Sequence, residues 1–198
     1  MRASEQDRED IAIARKVWKH GQGNLDPSKL VFIDESGAKT NMTRLRGRSH
    51  KSQRLHAAAP CGRWRSTTMI SSIRIDGSSA CMTIEGATNT EIFHQYVKEI
   101  LLPTLRPGDI VIMDNLSAHK SSKTLEAIQS VGAHVRFLPA YSPDLNPIEL
   151  MWSKVKGLLR KTQARCPESL LTAIANALDK VSACDAAGWF AHCGHAFV

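Results

Sequence analysis

Apolar and polar positions alternate between two rhythms along this chain, and the switches between them mark out its elements. Residues 1–20 carry Ile11, Ala14, Val17 and Trp18 at helical spacing, and "HGQGNLDPSK" then breaks the pattern with two glycines and a proline. "LVFIDES" follows as a continuous apolar run closing on acids, which is how a strand buried on both faces reads. Further on, "TTMISSIRI" and "SACMTIEG" are β-branched runs joined around Asp76-Gly77, a hairpin signal. In "NTEIFHQYVKEILLPTL" the stripe of Ile92, Phe93, Tyr96, Val97, Ile100 and Leu101 predicts an amphipathic helix, stopped by Pro103 and Pro107.

The second half repeats a simpler unit. "GDIVIMDN" predicts a buried strand ending in an acid, "SSKTLEAIQSVG" a helix with a glycine exit, and "AHVRFLP" another strand. A proline-rich loop leads into "NPIELMWSKVKGLLRK", and "PESLLTAIANALDKVS" closes the series as a last helix. Three early strands followed by strand–helix–strand units predict an α/β fold, a mixed five-stranded sheet flanked by helices. No internal repeat breaks this order.

With 198 residues, 42% of them hydrophobic, the chain has the material for one ordinary core. No run of eighteen apolar residues occurs and the N-terminus lacks an apolar leader, so no membrane partner is expected and the expected location is the cytosol. Lys and Arg outnumber Asp and Glu by 26 to 19, a net charge of +7, which tilts the reading toward a polyanionic partner. Arg44, Arg46, Arg48, Lys51 and Arg54 crowd the segment "TRLRGRSHKSQRL", which reads either as a phosphate-contacting loop or as a solvated basic loop. The five scattered cysteines form no disulfide framework. His192, Cys193 and His195 near the C-terminus lack a second ligand pair at zinc-finger spacing.

Three acids stand out by position. Asp34 and Asp114 each follow a buried apolar strand, and Glu149 opens the helix after the last strand. Ligand sites in open α/β sheets gather at the carboxyl ends of strands, so parallel neighbours would set Asp34 and Asp114 side by side with Glu149 close by. Three facing carboxylates repel one another, and hard divalent ions, Mg²⁺ or Mn²⁺, are the cations that suit oxygen ligands. Two ions roughly 3.5–4 Å apart stabilise both oxygens of an in-line phosphoryl displacement. On that scheme Asp34 bridges both ions, Asp114 binds one and Glu149 the other. Glu149, Ser153, Lys156 and Arg160 form one polar helix face opposite Met151, Trp152, Val155, Leu158 and Leu159. Taken alone, Glu149 reads first as an acid that complements the helix dipole.

The blocks "VFIDESGAKTNMTRLRGRS", "GDIVIMDNLSAHKS" and "FLPAYSPDLNPIELMWSKVK" together resemble the DDE catalytic domain of insertion-sequence transposases in the mariner superfamily. Asp114 and Glu149 are separated by 34 residues, the spacing of that branch. The resemblance implies a ribonuclease H-like fold over residues 28–182, with 1–27 a connecting segment and 183–198 a tail. It also implies Asp34, Asp114 and Glu149 as the catalytic, metal-binding triad holding two ions. Metal-activated water would then cut DNA at the element's ends, and the freed 3′-hydroxyl would attack target DNA. Asn115, His119 and Asn146 fall in the family's site-shaping positions, with Tyr141, Pro143 and Pro147 beside them. Asn115 and Asn146 read equally well as turn and cap residues.

Expected DNA contacts are Arg44, Arg46, Arg48, Lys51, Arg54, Lys120, Lys156 and Arg160. Expected partners are double-stranded DNA, a second copy forming a homodimer on that DNA, and an N-terminal helix-turn-helix region, which a separate polypeptide would supply because this chain begins too late to contain one. The rival from another class is a non-catalytic DNA-binding remnant or domesticated regulator of the same fold. A nucleotide-driven ATPase is excluded by the lack of any G-x-x-x-x-G-K-[ST] segment. A phosphatase with Asp34 as nucleophile would need a second acid where Ser36 stands.

Overall fold

In the computed structural model, which describes residues 4–56, 58–61 and 64–196, five strands form one sheet in the order β3-β2-β1-β4-β5. These are β1 (Leu30–Lys39), β2 (Ser66–Ile73), β3 (Ser79–Glu85), β4 (Ile110–Met113) and β5 (His134–Phe137). The helices are α1 (Glu9–Gln22), α2 (Thr90–Tyr96), α3 (Ser122–Ser130), α4 (Pro147–Thr162), α5 (Pro167–Leu178) and α6 (Ala183–His192). β1, β2 and β3 pair antiparallel, whereas β4 and β5 run parallel to β1, as the hairpin followed by crossover units requires.

Side chains alternate across a strand, so β1 feeds two cores. Leu30 and Phe32 pack on one face with Ile148, Met151, Trp152 and Val155 of α4, Ile174 of α5 and Phe190 of α6. Val31 and Ile33 pack on the other with Phe93, Tyr96 and Ile128. β1 is twice as useful because it is long. Its first residues pair with β4 and its outer half, out to Lys39, continues against β2 alone. The register Val31 to Val111 and Phe32 to Ile112, carried on by two residues, brings Asp34 and Asp114 to one level at the carboxyl ends.

Two elements depart from the sequence pattern. The helix expected up to Pro103 holds α geometry only to Tyr96, then widens into a π turn over Val97–Leu101 and ends in a 3₁₀ turn at Leu102–Thr104. Pro103 accounts for this, since it lacks an N–H and its ring crowds the carbonyl four residues back. The expected tail contains a helix, α6. Ser182 caps it by accepting from the Asp185 N–H, and the Asp185 carboxylate accepts from Ser182 in return. Phe190 of α6 meets Phe32 edge-on at 5.3 Å, so the segment is part of the main core. The hairpin turn abuts the same helix: Gly77 has φ +85°, and a Cβ there would lie 2.9 Å from the Ala183 nitrogen. Glycine meets both demands.

The loop between β1 and β2 is tied at its neck. Thr40 N–H donates to Arg65 O, the Arg65 N–H donates to Thr40 Oγ1, and Arg165 donates to the carbonyls of Thr40 and Met42. On the other side, α1 packs Trp18 against the α4 core. Arg15 of α1 reaches Ser142 at 2.7 Å and pairs with both oxygens of Asp144 at 2.9 and 2.6 Å.

A carboxylate cleft at the strand ends

The three acids singled out in the sequence open onto one cleft of about 510 Å³. Asp34 projects from β1 on the α4 side, Asp114 follows β4, and Glu149 is the third residue of α4. Asn146 sets the start of that helix: its side chain accepts from the Ile148 N–H at 3.4 Å, and Pro147 takes the first helical position, where a missing N–H costs nothing. The cleft wall is the loop 138–146, in which Tyr141 adopts the left-handed conformation at φ 54°. Gln6 donates to the Tyr141 carbonyl, and the Arg15 contacts to Ser142 and Asp144 brace the same loop.

The charges in the cleft are frustrated. Burial, followed by the nearby negative charges of Glu149, Glu35 and Asp114, pushes the Asp34 carboxyl up to about 7. Glu149 is raised as well, by loss of water first and by Asp114, with Lys156 opposing. Asp114 goes the other way. Burial would raise it, but His119 and the Leu116 N–H, which donates to Oδ1 at 3.0 Å, outweigh that and hold it below the usual carboxylate range. His119 itself is fully buried, and although burial opposes its charge, Asp114 and Glu35 lift it to about 9. The site therefore contains one imidazolium and more carboxylates than that one charge offsets.

These donors are hard oxygens, which suits Mg²⁺ or Mn²⁺ rather than a soft metal. Among the described residues, no three His, Cys, Asp or Glu side chains close into a finished ligand set.

The remaining expectations separate by place. Asn115 lines the cleft and donates to Leu138 O at 2.6 Å, tying β4's exit to β5's. His119 sits behind the cleft rather than in it. Arg44, Arg46, Arg48, Lys51 and Arg54 are all exposed on the β1–β2 loop and none lines the cleft. Lys120 is exposed, with its ammonium 5.6 Å from the Phe137 ring centre, while Lys156 and Arg160 are half-buried along α4. Of the tail residues, His195 and Cys193 are buried, and His195 packs 5.0 Å from Phe32. Sequence reasoning passed over Glu35, whose only signal was its place beside Asp34, and over the braces from Gln6 and Arg15.

The sequence of residues 29–171 matches the family described as DDE superfamily endonuclease, well over half the chain. The chain belongs to that family. Among solved structures, the Mos1 strand transfer complex superposes with a TM-score of 0.71 at 16% identity, covering 98% of this chain and 59% of that one. The Mos1 mariner paired end complex with Mg gives 0.70 at 17% identity, covering 98% and 62%. The catalytic domain of Mos1 mariner transposase gives 0.54 at 15% identity, covering 100% and 98%. The fold of this DDE endonuclease chain is thus the ribonuclease H-like one, and the chain spans about three-fifths of the longer proteins it superposes on. A comparison with curated proteins finds no match.

Proposed function

We propose that this chain is the catalytic domain of a DDE transposase of the insertion-sequence branch, cutting DNA at an element's ends and joining the freed strand to target DNA. The observation that carries the proposal is the meeting of Asp34, Asp114 and Glu149 in one cleft, with the Asp34 carboxyl pushed up by burial and by its acidic neighbours. Such a site is built to be completed by cations. The 34-residue interval between Asp114 and Glu149 supports the branch.

In the proposed reaction Asp34, Asp114 and Glu149 would hold the divalent ions. When bound, such ions activate water or a 3′-hydroxyl and offset the charge that builds on the scissile phosphate. The protein's part is to fix three carboxylates in place: Asp34 by the β1–β2 ladder, Asp114 by Leu116 and His119, and Glu149 by the Asn146-capped start of α4. Hydrolysis adds water across one phosphodiester and leaves a 3′-hydroxyl; that hydroxyl then attacks a target phosphodiester and displaces its 3′-oxygen.

Double-stranded DNA is the proposed substrate, met by the basic β1–β2 loop and by Lys120, Lys156 and Arg160. Residues 28–182 form the proposed catalytic unit, with 1–27 and 183–198 flanking it in the chain, working in the bacterial cytosol. Two copies would hold two element ends together, with end recognition supplied by a helix-turn-helix region.

The test is nicking of a labelled duplex carrying the element's terminal repeat, in Mg²⁺ or Mn²⁺, with Asp34→Ala, Asp114→Ala and Glu149→Ala alongside. Cleavage should require metal and fall by about 10²–10³-fold or more in each variant, as expected when charge stabilisation is removed. If the intact chain is inert, the helix-turn-helix region is added in trans. A folded chain that binds DNA and still does not cut would favour the non-catalytic reading.

A further inference from the structure

Glu35 follows Asp34 in β1 and therefore points to the opposite face of the sheet. There its Oε1 lies 2.9 Å from Nε2 of His119. The imidazole is fully buried, lies with its centre 4.1 Å from the Phe93 ring centre, and brings Nδ1 to 2.7 Å from Oδ1 of Asp114. Phe93 confines the plane of this ring, and Glu35 confines its rotation within that plane. Asp114 has fewer constraints of its own. It follows the last residue of a four-residue strand, and its side chain is 42% exposed. Besides His119 it is met by the Leu116 N–H, which donates to the same Oδ1. Both contacts fall on one oxygen, and Oδ2 carries neither.

We propose that Glu35 is a positioning residue for the metal centre: acting through His119, it locks the Asp114 carboxylate so that one oxygen is held from behind and the other is left to a divalent cation. The inference rests on the reading of Asp34, Asp114 and Glu149 as cation ligands. Carboxylate ligands are commonly held by such a second layer of hydrogen bonds, and its loss costs about 10–100-fold in metal affinity. A sheet allows the arrangement because adjacent residues of one strand serve its two faces. Asp34 provides a ligand at the front while Glu35 supports another ligand from behind.

The experiment is Mn²⁺ binding to the folded chain, read from the free-ion electron paramagnetic resonance signal, with folding checked by circular dichroism. Glu35→Ala should weaken Mn²⁺ binding by about 10-fold or more. Glu35→Gln, which keeps the acceptor oxygen, should stay within about threefold. His119→Phe keeps a ring against Phe93 but has no nitrogen; it should lose as much as Glu35→Ala, and adding Glu35→Ala to it should cost nothing more. Should Glu35→Ala fail to fold, Glu35→Asp, whose carboxylate is drawn back by one methylene, takes its place with the same expected direction. Unchanged Mn²⁺ affinity in Glu35→Ala, or in Glu35→Asp where it stands in, or a further loss in the double variant, overturns the inference. Binding that is lost in Asp114→Ala but kept in Glu35→Ala removes this inference alone. Equal binding by the intact chain and Asp114→Ala removes the triad reading beneath it.

Discussion

Asp34 shows how a single residue can oppose the fold that holds it. Its carboxyl, ordinarily ionised near 4, is held up to about 7 by burial and by Glu149, Glu35 and Asp114. A folded-state value above the unfolded one means that the folded chain binds the extra proton. The stabilising effect is full below the unfolded value and is lost as pH rises through the folded value. In metal-free protein, Asp34→Asn should therefore raise the melting temperature clearly more at pH 8 than at pH 5, as differential scanning calorimetry can check. Mg²⁺ should raise the melting temperature of the intact chain at pH 8 and lose most of that effect in the variant. An equal effect of the substitution at both pH values would sink this account. The sequence pointed to Asp34 because an acid closing an apolar strand is conspicuous. Glu35 and His119 were harder to weigh, since their partnership spans the sheet and depends on which face each residue takes.

At the scale of elements, most of the fold was legible because it rests on local periodicity. The β1 run, the β2–β3 hairpin and the strand–helix–strand series all carry patterns that no other element type satisfies, and the polar face of α4 falls where helical spacing puts it. Two failures have physical causes. The stop of α2 at Pro103 was read, but the π turn over Val97–Leu101 before it is a change of hydrogen-bond pattern that the apolar stripe does not report. α6 was passed over because Val181 and Ser182 read as the end of α5, while the helix itself holds mostly small residues around Trp189 and Phe190. Its capping box, Ser182 with Asp185, was the available signal. The helix nonetheless bears on the core: Phe190 is fully buried against Phe32. Phe190→Ala should cost about 3–5 kcal/mol of unfolding free energy in urea titration. A loss below about 1 kcal/mol would mean that α6 is only laid against the surface.

For the whole molecule, charge and chemistry are kept apart. The carboxylates lie in the cleft, whereas the densest positive segment is the exposed β1–β2 loop, so the two charges occupy different parts of the surface. If the loop contacts phosphates, neutralising Arg44, Arg46, Arg48, Lys51 and Arg54 together should flatten the salt dependence of DNA affinity. The expected change is about 0.9 in the log–log slope for each phosphate that the variant ceases to neutralise. A slope unchanged by all five substitutions, measured by fluorescence anisotropy between low and moderate salt, would assign DNA attraction elsewhere. The neck of that loop has a consequence for how such a protein diversifies. Thr40, Arg65 and Arg165 close the two ends of the loop before its basic residues begin, so its length and content are insulated from the register of β1 and β2. Closing a longer loop costs little once its ends are fixed, about 0.6 kcal/mol per doubling. The arm is thus a cassette: its length and charge can change while the carboxylate cleft stays unaltered.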